Sequence, residues 1–438
     1  MPRDIPVGNG KLLICFDRNY CIRELYFPHV GLENHVGGKF CRLGVWVDGQ
    51  FSWVGPEWER DLRYQPETLV TEVKLAHPGL GVALECHDAV DFHEDLYLRE
   101  IVVTNVAPNP REIRLFFTLD LGISGNELGD TAGYDPKTGA VVHYKGARYF
   151  LAGGMALEGE GLSQFAVGQK GYEGWEGTFK DAEDGVLSGN PIAQGSVDSV
   201  IGLSLTLPPY ESGQAYYWLA AGQSWEDVLR LDGLVKHKHP KNHLKRTADY
   251  WRLWLRKESP GLEFLPDPVA ELYRRSLLII RTQIDWQGGI LAGNDSDVIE
   301  YNRDTYSYVW PRDGALVANA LDLAGYPAPS QRFFAFIASV AKTVTSFTST
   351  IPTEPSPLPG TLGMTETARS FPYKRMKPLV SLGRCCIIMI PPLLMIGNSL
   401  MTIRHVSAPV RWSASGTPGS HERRSPGKHR RGRMIRWD

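Results

Sequence analysis

YSYVWPRDGALVANALDLAG, Tyr306 to Gly325, carries two patterns in twenty residues. Gly314 to Ala324 reads as a helix stopped by Gly325. Ahead of it, Tyr306, Tyr308, Trp310, Arg312 and Asp313 crowd onto the helix entrance. Two readings fit. In one, Asp313 is the N-cap, its carboxylate accepting from the amides of Ala315 or Leu316, while Pro311 suits a chain entering a helix and the aromatics pack. In the other, the Arg312 guanidinium and the Asp313 carboxylate form a fork that chelates neighbouring hydroxyls of a sugar. Tyr and Trp faces beside it then stack on the apolar face of a pyranose ring. The opposite charges cancel, which suits a neutral polyol better than an anion.

Working outward, residues 263–341 continue the helical pattern on both sides of this stretch. DPVAELYRRSLLIIRTQID offers Asp267 as cap and Pro268 as first helical residue, and APSQRFFAFIASVAK starts the helix after Gly325. Between them lies a Gly-rich loop, WQGGILAGNDSD. Upstream, residues 224–262 read as a helical linker. Ser224 is its N-cap, Glu226 and Asp227 stand in the first turn, and Pro240 splits it. Residues 1–223 read as β structure, with roughly ten short alternating segments punctuated by Gly, Pro and Asp/Asn, and a hairpin signal at Asp48-Gly49 inside VWVDGQFSWV. The pattern predicts a large antiparallel sandwich.

The last hundred residues break with this. Residues 1–340 carry 45 acidic and 32 basic side chains; residues 341–438 carry 4 and 15, together with six of the eight methionines. The change falls in mid-helix, where domain linkers rarely begin. Overall net charge is −2, so nothing global points to nucleic acid or an anionic membrane. No apolar run reaches the roughly 18 residues of a membrane span. The N-terminus MPRDIPVGNGKLLICFD has no charged region leading an apolar core. Six scattered cysteines lack metal-ligand spacing and suit a reducing cytoplasm. Three further segments are weighed as sites. DSDVIEYNRD (Asp295, Asp297, Glu300, Asp304) lacks the glycine and terminal glutamate of a calcium loop. KHKHPKNH (His237, His239, His243) reads as a solvated helix lead rather than a metal site. HERRSPGKHRRGR, 421–433, is basic but has no aromatic platform for nucleic acid. No metal and no cofactor is expected.

Two segments resemble glycoside hydrolase family 15, the glucoamylase family, in its prokaryotic form. NGKLLICFDRNYCIRELYFPHVGLENHVGG resembles the family's N-terminal entry, and YSYVWPRDGALVANALDLAGY the motif between its first two barrel helices. The order of sandwich then helical linker matches as well, so the resemblance covers about residues 5–340. It implies a β-then-α multidomain fold: an N-terminal antiparallel β-sandwich (supersandwich), a helical linker, and the first helices of an (α/α)6 barrel. It implies that Arg312 and Asp313 grip a terminal glucose at its outer hydroxyls while Tyr306 and Trp310 wall the pocket. It also implies exo-acting, inverting hydrolysis of α-glucosidic bonds by two glutamates on later barrel loops, which are not found here. The expected partner is an α-glucan or oligosaccharide, whether malto-, dextran- or trehalose-type. The rival expectation is a non-catalytic carbohydrate-binding protein built on the sandwich.

Residues 342–438 read as a tail displaced by one base. If each codon starts one base earlier, Lys342 to Gly363 can spell DGYFFHKYNPDGAFASSWHPW and Phe371 to Cys386 can spell PLQEDETAxVLWALL, both family-like. Four positions constrain the reading: Met364–Thr365 forces Asp, Met376–Lys377 forces Glu, Cys385–Cys386 forces Leu, and Tyr373–Lys374 allows only Gln or a stop. The expectation is a truncated, inactive chain with a non-native or disordered basic tail and apolar helix faces left uncovered.

Overall fold

The computed structural model describes residues 5–39, 41–156, 161–171, 176–257, 261–294 and 307–348, with side chains described through 341. Tyr306, the acidic segment 295–304, Cys385, Cys386 and everything from 349 onward lie outside the described residues.

Among the described residues the alternating N-terminal segments form eighteen strands in sheets of nine, five and four, more than the ten or so the turn signals suggest. Their ladders are antiparallel. The Asp48-Gly49 hairpin is present: Val47 pairs with Gln50, and both turn residues have positive φ, 51° and 81°. Two pairs of consecutive strands cross between sheets instead of forming hairpins. Leu96–Asn105 lies in the nine-stranded sheet and Arg111–Asp120 in the five-stranded one, and Ser212–Gly222 and Val197–Leu207 divide in the same way. Each then pairs across the chain, Leu98 with Trp218 and Ile113 with Leu205. Asn105 sits at this corner. Its Nδ2 donates to the carbonyls of Asn109 (2.8 Å) and Pro208 (3.0 Å), and its Oδ1 accepts from Arg111. The inward faces of the two large sheets share one core, with Ile101 and Val103 from one and Leu115, Phe117, Leu203 and Leu205 from the other.

Helices cover the outer face of the nine-stranded sheet. Helix α1 (Trp225–Lys238) starts at Ser224, whose hydroxyl accepts from the Asp227 amide while the Asp227 carboxylate accepts from the Ser224 amide. Helix α2 (Pro240–Lys257) restarts at Pro240. Val228, Leu231, Val235, Leu244 and Ala248 from these helices meet Leu98, Leu151, Trp218 and Ala220 of the sheet. The expectation of a solvated histidine lead holds for His237 and His239, which are exposed, and fails for His243. His243 is fully buried, its Nδ1 2.8 Å from Asp91 Oδ2, an oxygen that also accepts from Arg246 Nε at 2.9 Å. Helical spacing places His243 on the same buried stripe as Leu244, Thr247 and Trp251.

Among the described residues three more helices follow: α3 (Asp267–Thr282), α4 (Pro311–Leu323) and α5 (Pro327–Thr348). The expected Asp267 cap is off by one residue. Asp267 is already helical, and Pro266 precedes it without a side-chain cap bond. A second core joins these helices to the small four-stranded sheet. Leu13, Cys15, Tyr26 and Val30 of the sheet region pack with Leu277, Leu278, Leu291, Val309, Leu321 and Phe333. Arg275 extends the junction, its Nη1 donating to Thr68 O at 2.5 Å and its guanidinium lying 4.2 Å from the Tyr64 ring centre. Away from that junction the helices expose apolar side chains, Leu316 at 66% and Leu323 at 82% among them, along with Leu272 and Phe334. Among the described residues these helices do not close a barrel.

Candidate functional site

The entrance to α4 is held from below by the sandwich. The chain leaving α3 folds back at Asp285–Gly289, where the Gly288 amide donates to Asp285 O and the Asp285 amide to Gly289 O. Gly288, at φ 105°, can make this turn without a side-chain clash; its position is close against the Arg332 backbone. The returning arm bridges Leu291 to Val309, and the Ala292 amide donates to Tyr308 O at 3.0 Å. Below it, Tyr26 Oη and Ser307 Oγ are 3.2 Å apart, and Gly31 leaves room for Leu291. Residues far apart in the sequence thus fix the backbone at 307–310, immediately before the helix.

From there the four expected binding residues divide. Tyr306 is outside the described residues. Trp310 occupies the cap position with extended backbone (φ −99°, ψ 118°) and an indole 37% exposed. Its ring meets Tyr308 edge-on, centroids 6.4 Å apart. Pro311 is the first helical residue, so Asp313 is the third and not the cap. The expected bonds from Asp313 to the amides of Ala315 or Leu316 do not form: α4 has no side-chain cap bond, and the Gly314 amide donates to Trp310 O. Proline explains the shift, since its fixed φ and missing N–H let the helix begin before the acid. Freed from capping, the Asp313 carboxylate lies beside Arg312, whose Nη2 is 3.4 Å from Oδ1 and 3.3 Å from Oδ2. Arg312 itself extends into solvent. Trp310, Arg312 and Asp313 therefore present one partly exposed aromatic ring and one charge-balanced fork at the opening turn of α4.

The sequence reading missed a second exposed feature, Trp286, although the WQGG loop that carries it was visible. The Trp286 amide donates to Gly10 O at 2.9 Å, and its ring lies nearly parallel to His29 (11° between planes). His29 Nδ1 is 3.2 Å from the indole Nε1 and 3.1 Å from Asp285 Oδ2. That nitrogen serves one of them at a time: with a proton it donates to Asp285, and without one it accepts the indole N–H.

The sandwich offers less. An open groove of about 430 Å3 over the strands Glu59–Tyr64 and Thr71–His77 is lined by Glu59, Arg60, Asp61, Lys74 and Glu85 around Leu84, with no aromatic ring. Among the described residues no group of three or more His, Cys, Asp or Glu is placed to hold a metal, and no helix is long and apolar enough to cross a membrane. Cys15, Cys21, Cys41 and Cys86 are buried, and burial pushes the thiol pKa of the last three up to about 12.

No family model matches the chain. It is similar to an uncharacterized glycosyl hydrolase of Methanocaldococcus jannaschii, 24% identical over 342 residues, which are 76% of this chain and 52% of that protein. It is also similar to the crystal structure of a bacterial glucoamylase complexed with acarbose. There the TM-score is 0.62 with 15% identity, covering 77% of this chain and 50% of the glucoamylase. The chain thus spans about half the length of the relatives it matches. Over the half that it spans, the chain shares the fold of that bacterial glucoamylase.

Proposed function

We propose that this chain is the sandwich and the first barrel helices of a glucoamylase-type glycoside hydrolase that acts on α-glucans or their oligosaccharides. Arg312 and Asp313 hold the hydroxyls of a terminal glucose, and Trp310 stacks on its apolar face, with Tyr306 as the further wall. The observation that carries this is the release of Asp313 from helix capping. A carboxylate with no backbone amide to satisfy stands beside a guanidinium and an exposed indole. Such a fork offers both donors and acceptors to vicinal hydroxyls.

Hydrolysis with inversion needs one carboxylic acid to protonate the leaving oxygen and one carboxylate to activate water, about 6.5–9.5 Å apart. The resemblance assigns both to glutamates on later loops. We therefore propose that the chain binds sugar without turning it over, and that residues from about 342 onward are an out-of-frame reading of the missing barrel. Incubation with maltooligosaccharides tests inactivity: the expected result is no glucose release above buffer, and clear turnover contradicts it. A DNA read across codons 339–342 tests the displaced frame, which fails if the codons cannot spell the shifted segments.

A further inference from the structure

We infer that Trp286, with Gln287 and Lys11, forms a second sugar-contacting shelf, contributed jointly by the sandwich and the helical region, for glucan units remote from the terminal glucose. The inference rests on the proposed function of Arg312 and Asp313 and extends it along the substrate. Trp286 is 46% exposed, and Gln287 beside it is exposed as well. A large indole left that open is ordinarily mobile. Here it is held on three sides: by its amide bond to Gly10 O, by the tight Asp285–Gly288 turn in which the Gln287 amide donates to Asp285 Oδ1 at 2.8 Å, and by the contact of its Nε1 with His29 Nδ1. His29 and Asp285 are themselves buried. The ring is anchored at its edge and stays about half exposed, so that surface is available to a ligand without a large ordering cost.

The polar groups around it suit a carbohydrate. Lys11 Nζ lies over the ring, 5.6 Å from its centre, and reaches Asp95 only at 4.0 Å, leaving an ammonium donor beside the indole. Gln287 supplies a side-chain amide that both donates and accepts. An aromatic platform with an amide and an ammonium beside it recognises a pyranose by stacking plus hydroxyl hydrogen bonds. The shelf is also tied to the proposed pocket. The arm from Trp286 to Leu291 joins the Val309 bridge one residue before Trp310. Five residues of extended chain reach roughly 17 Å at most. A single glucose held at Arg312 is shorter than a gap of that order, whereas an oligosaccharide of several units is long enough to reach across it.

Calorimetric titration of the full chain with maltose and with maltoheptaose tests this on the parent and on Trp286→Ala, Trp286→Phe and Arg312→Ala, with melting temperatures confirming folding. The parent is expected to bind maltoheptaose more tightly than maltose. Trp286→Ala should weaken maltoheptaose about tenfold, a loss in the range of one aromatic contact, and leave maltose unchanged. Trp286→Phe should recover part of that loss, and Arg312→Ala should weaken both sugars. Trp286→Ala binding maltoheptaose like the parent, while Arg312→Ala weakens both, overturns the shelf and leaves the pocket standing. Arg312→Ala binding both sugars like the parent, or a parent that binds neither, overturns the pocket reading and the shelf with it.

Discussion

Arg312 Nη2 stands 3.3 Å from Asp313 Oδ2 across adjacent positions of the first turn of α4, with the guanidinium mostly in water. An exposed ion pair of this kind adds little to stability, about 1 kcal/mol at most. Arg312→Ala should therefore leave the melting temperature nearly unchanged while reducing sugar affinity. A large fall in melting temperature would assign the pair a structural role instead.

Gly314 follows that pair and packs α4 against α5. A β-carbon there would fall within the van der Waals shell of the fully buried Phe333 ring. Gly314→Ala should destabilise by about 1–3 kcal/mol through overpacking, even though alanine favours helix. Urea unfolding measures this; a stabilised variant would show that the helices separate easily.

Asp91 binds α2 to the sandwich. Burial alone would raise its pKa, but the hydrogen bonds from His243 and Arg246 outweigh it and hold the carboxyl below the usual carboxylate range. Asp91→Ala leaves His243 buried and Arg246 partly buried without their acceptor, and should cost about 3–5 kcal/mol in denaturant unfolding. A change below 1 kcal/mol, on the same principle, would mean that α2 does not depend on this anchor.

His35 and His143 make the fold acid-sensitive. Burial lowers His35 to about 4, partly offset by its bond to Phe27 O, and lowers His143 to about 3. Unfolded, both titrate near 6.5, so below that pH the unfolded chain takes up protons that the folded chain refuses. Their contribution is fully present above pH 6.5 and falls as pH drops toward 4 and then 3. Each can steepen the loss by up to about 1.4 kcal/mol per pH unit. Thermal melts from pH 7 to 4 should show a falling midpoint, with a shallower fall in His143→Gln. Equal slopes for the two proteins would remove His143 from the account.

Leu316 and Leu323 lie on the uncovered side of α4. Contiguous exposed apolar surface promotes association. The double variant Leu316→Lys, Leu323→Glu should raise the soluble fraction on expression without lowering the melting temperature. A lower melting temperature would mean that the face is packed in solution.

Much of this architecture was legible in local chemistry. Asp48-Gly49 turned as its residues demand, and Ser224 with Asp227 capped α1 as the spacing says. Non-local facts were not legible. Periodicity identifies the strands around Pro108 and Pro208, but not that the chain changes sheets there, because a crossover and a hairpin use the same turn residues. His243 looked solvated because its neighbours Lys238, Lys241 and Asn242 are polar; its burial depends on Asp91, far away in sequence. At the candidate site, Trp310, Arg312 and Asp313 could be picked out by residue type. Whether Asp313 caps or stays free was decided by Pro311 starting the helix early. Trp286 was passed over because its exposure arises from a turn anchored by Gly10 and His29.

Titration of the full chain with acarbose, beside Arg312→Ala and Asp313→Ala, tests the central proposal most directly. It predicts saturable binding by the parent and at least a tenfold loss in either variant, the scale of a lost charge-assisted hydrogen bond. Equal binding by all three proteins, or none by the parent, would contradict a sugar site at the opening turn of α4.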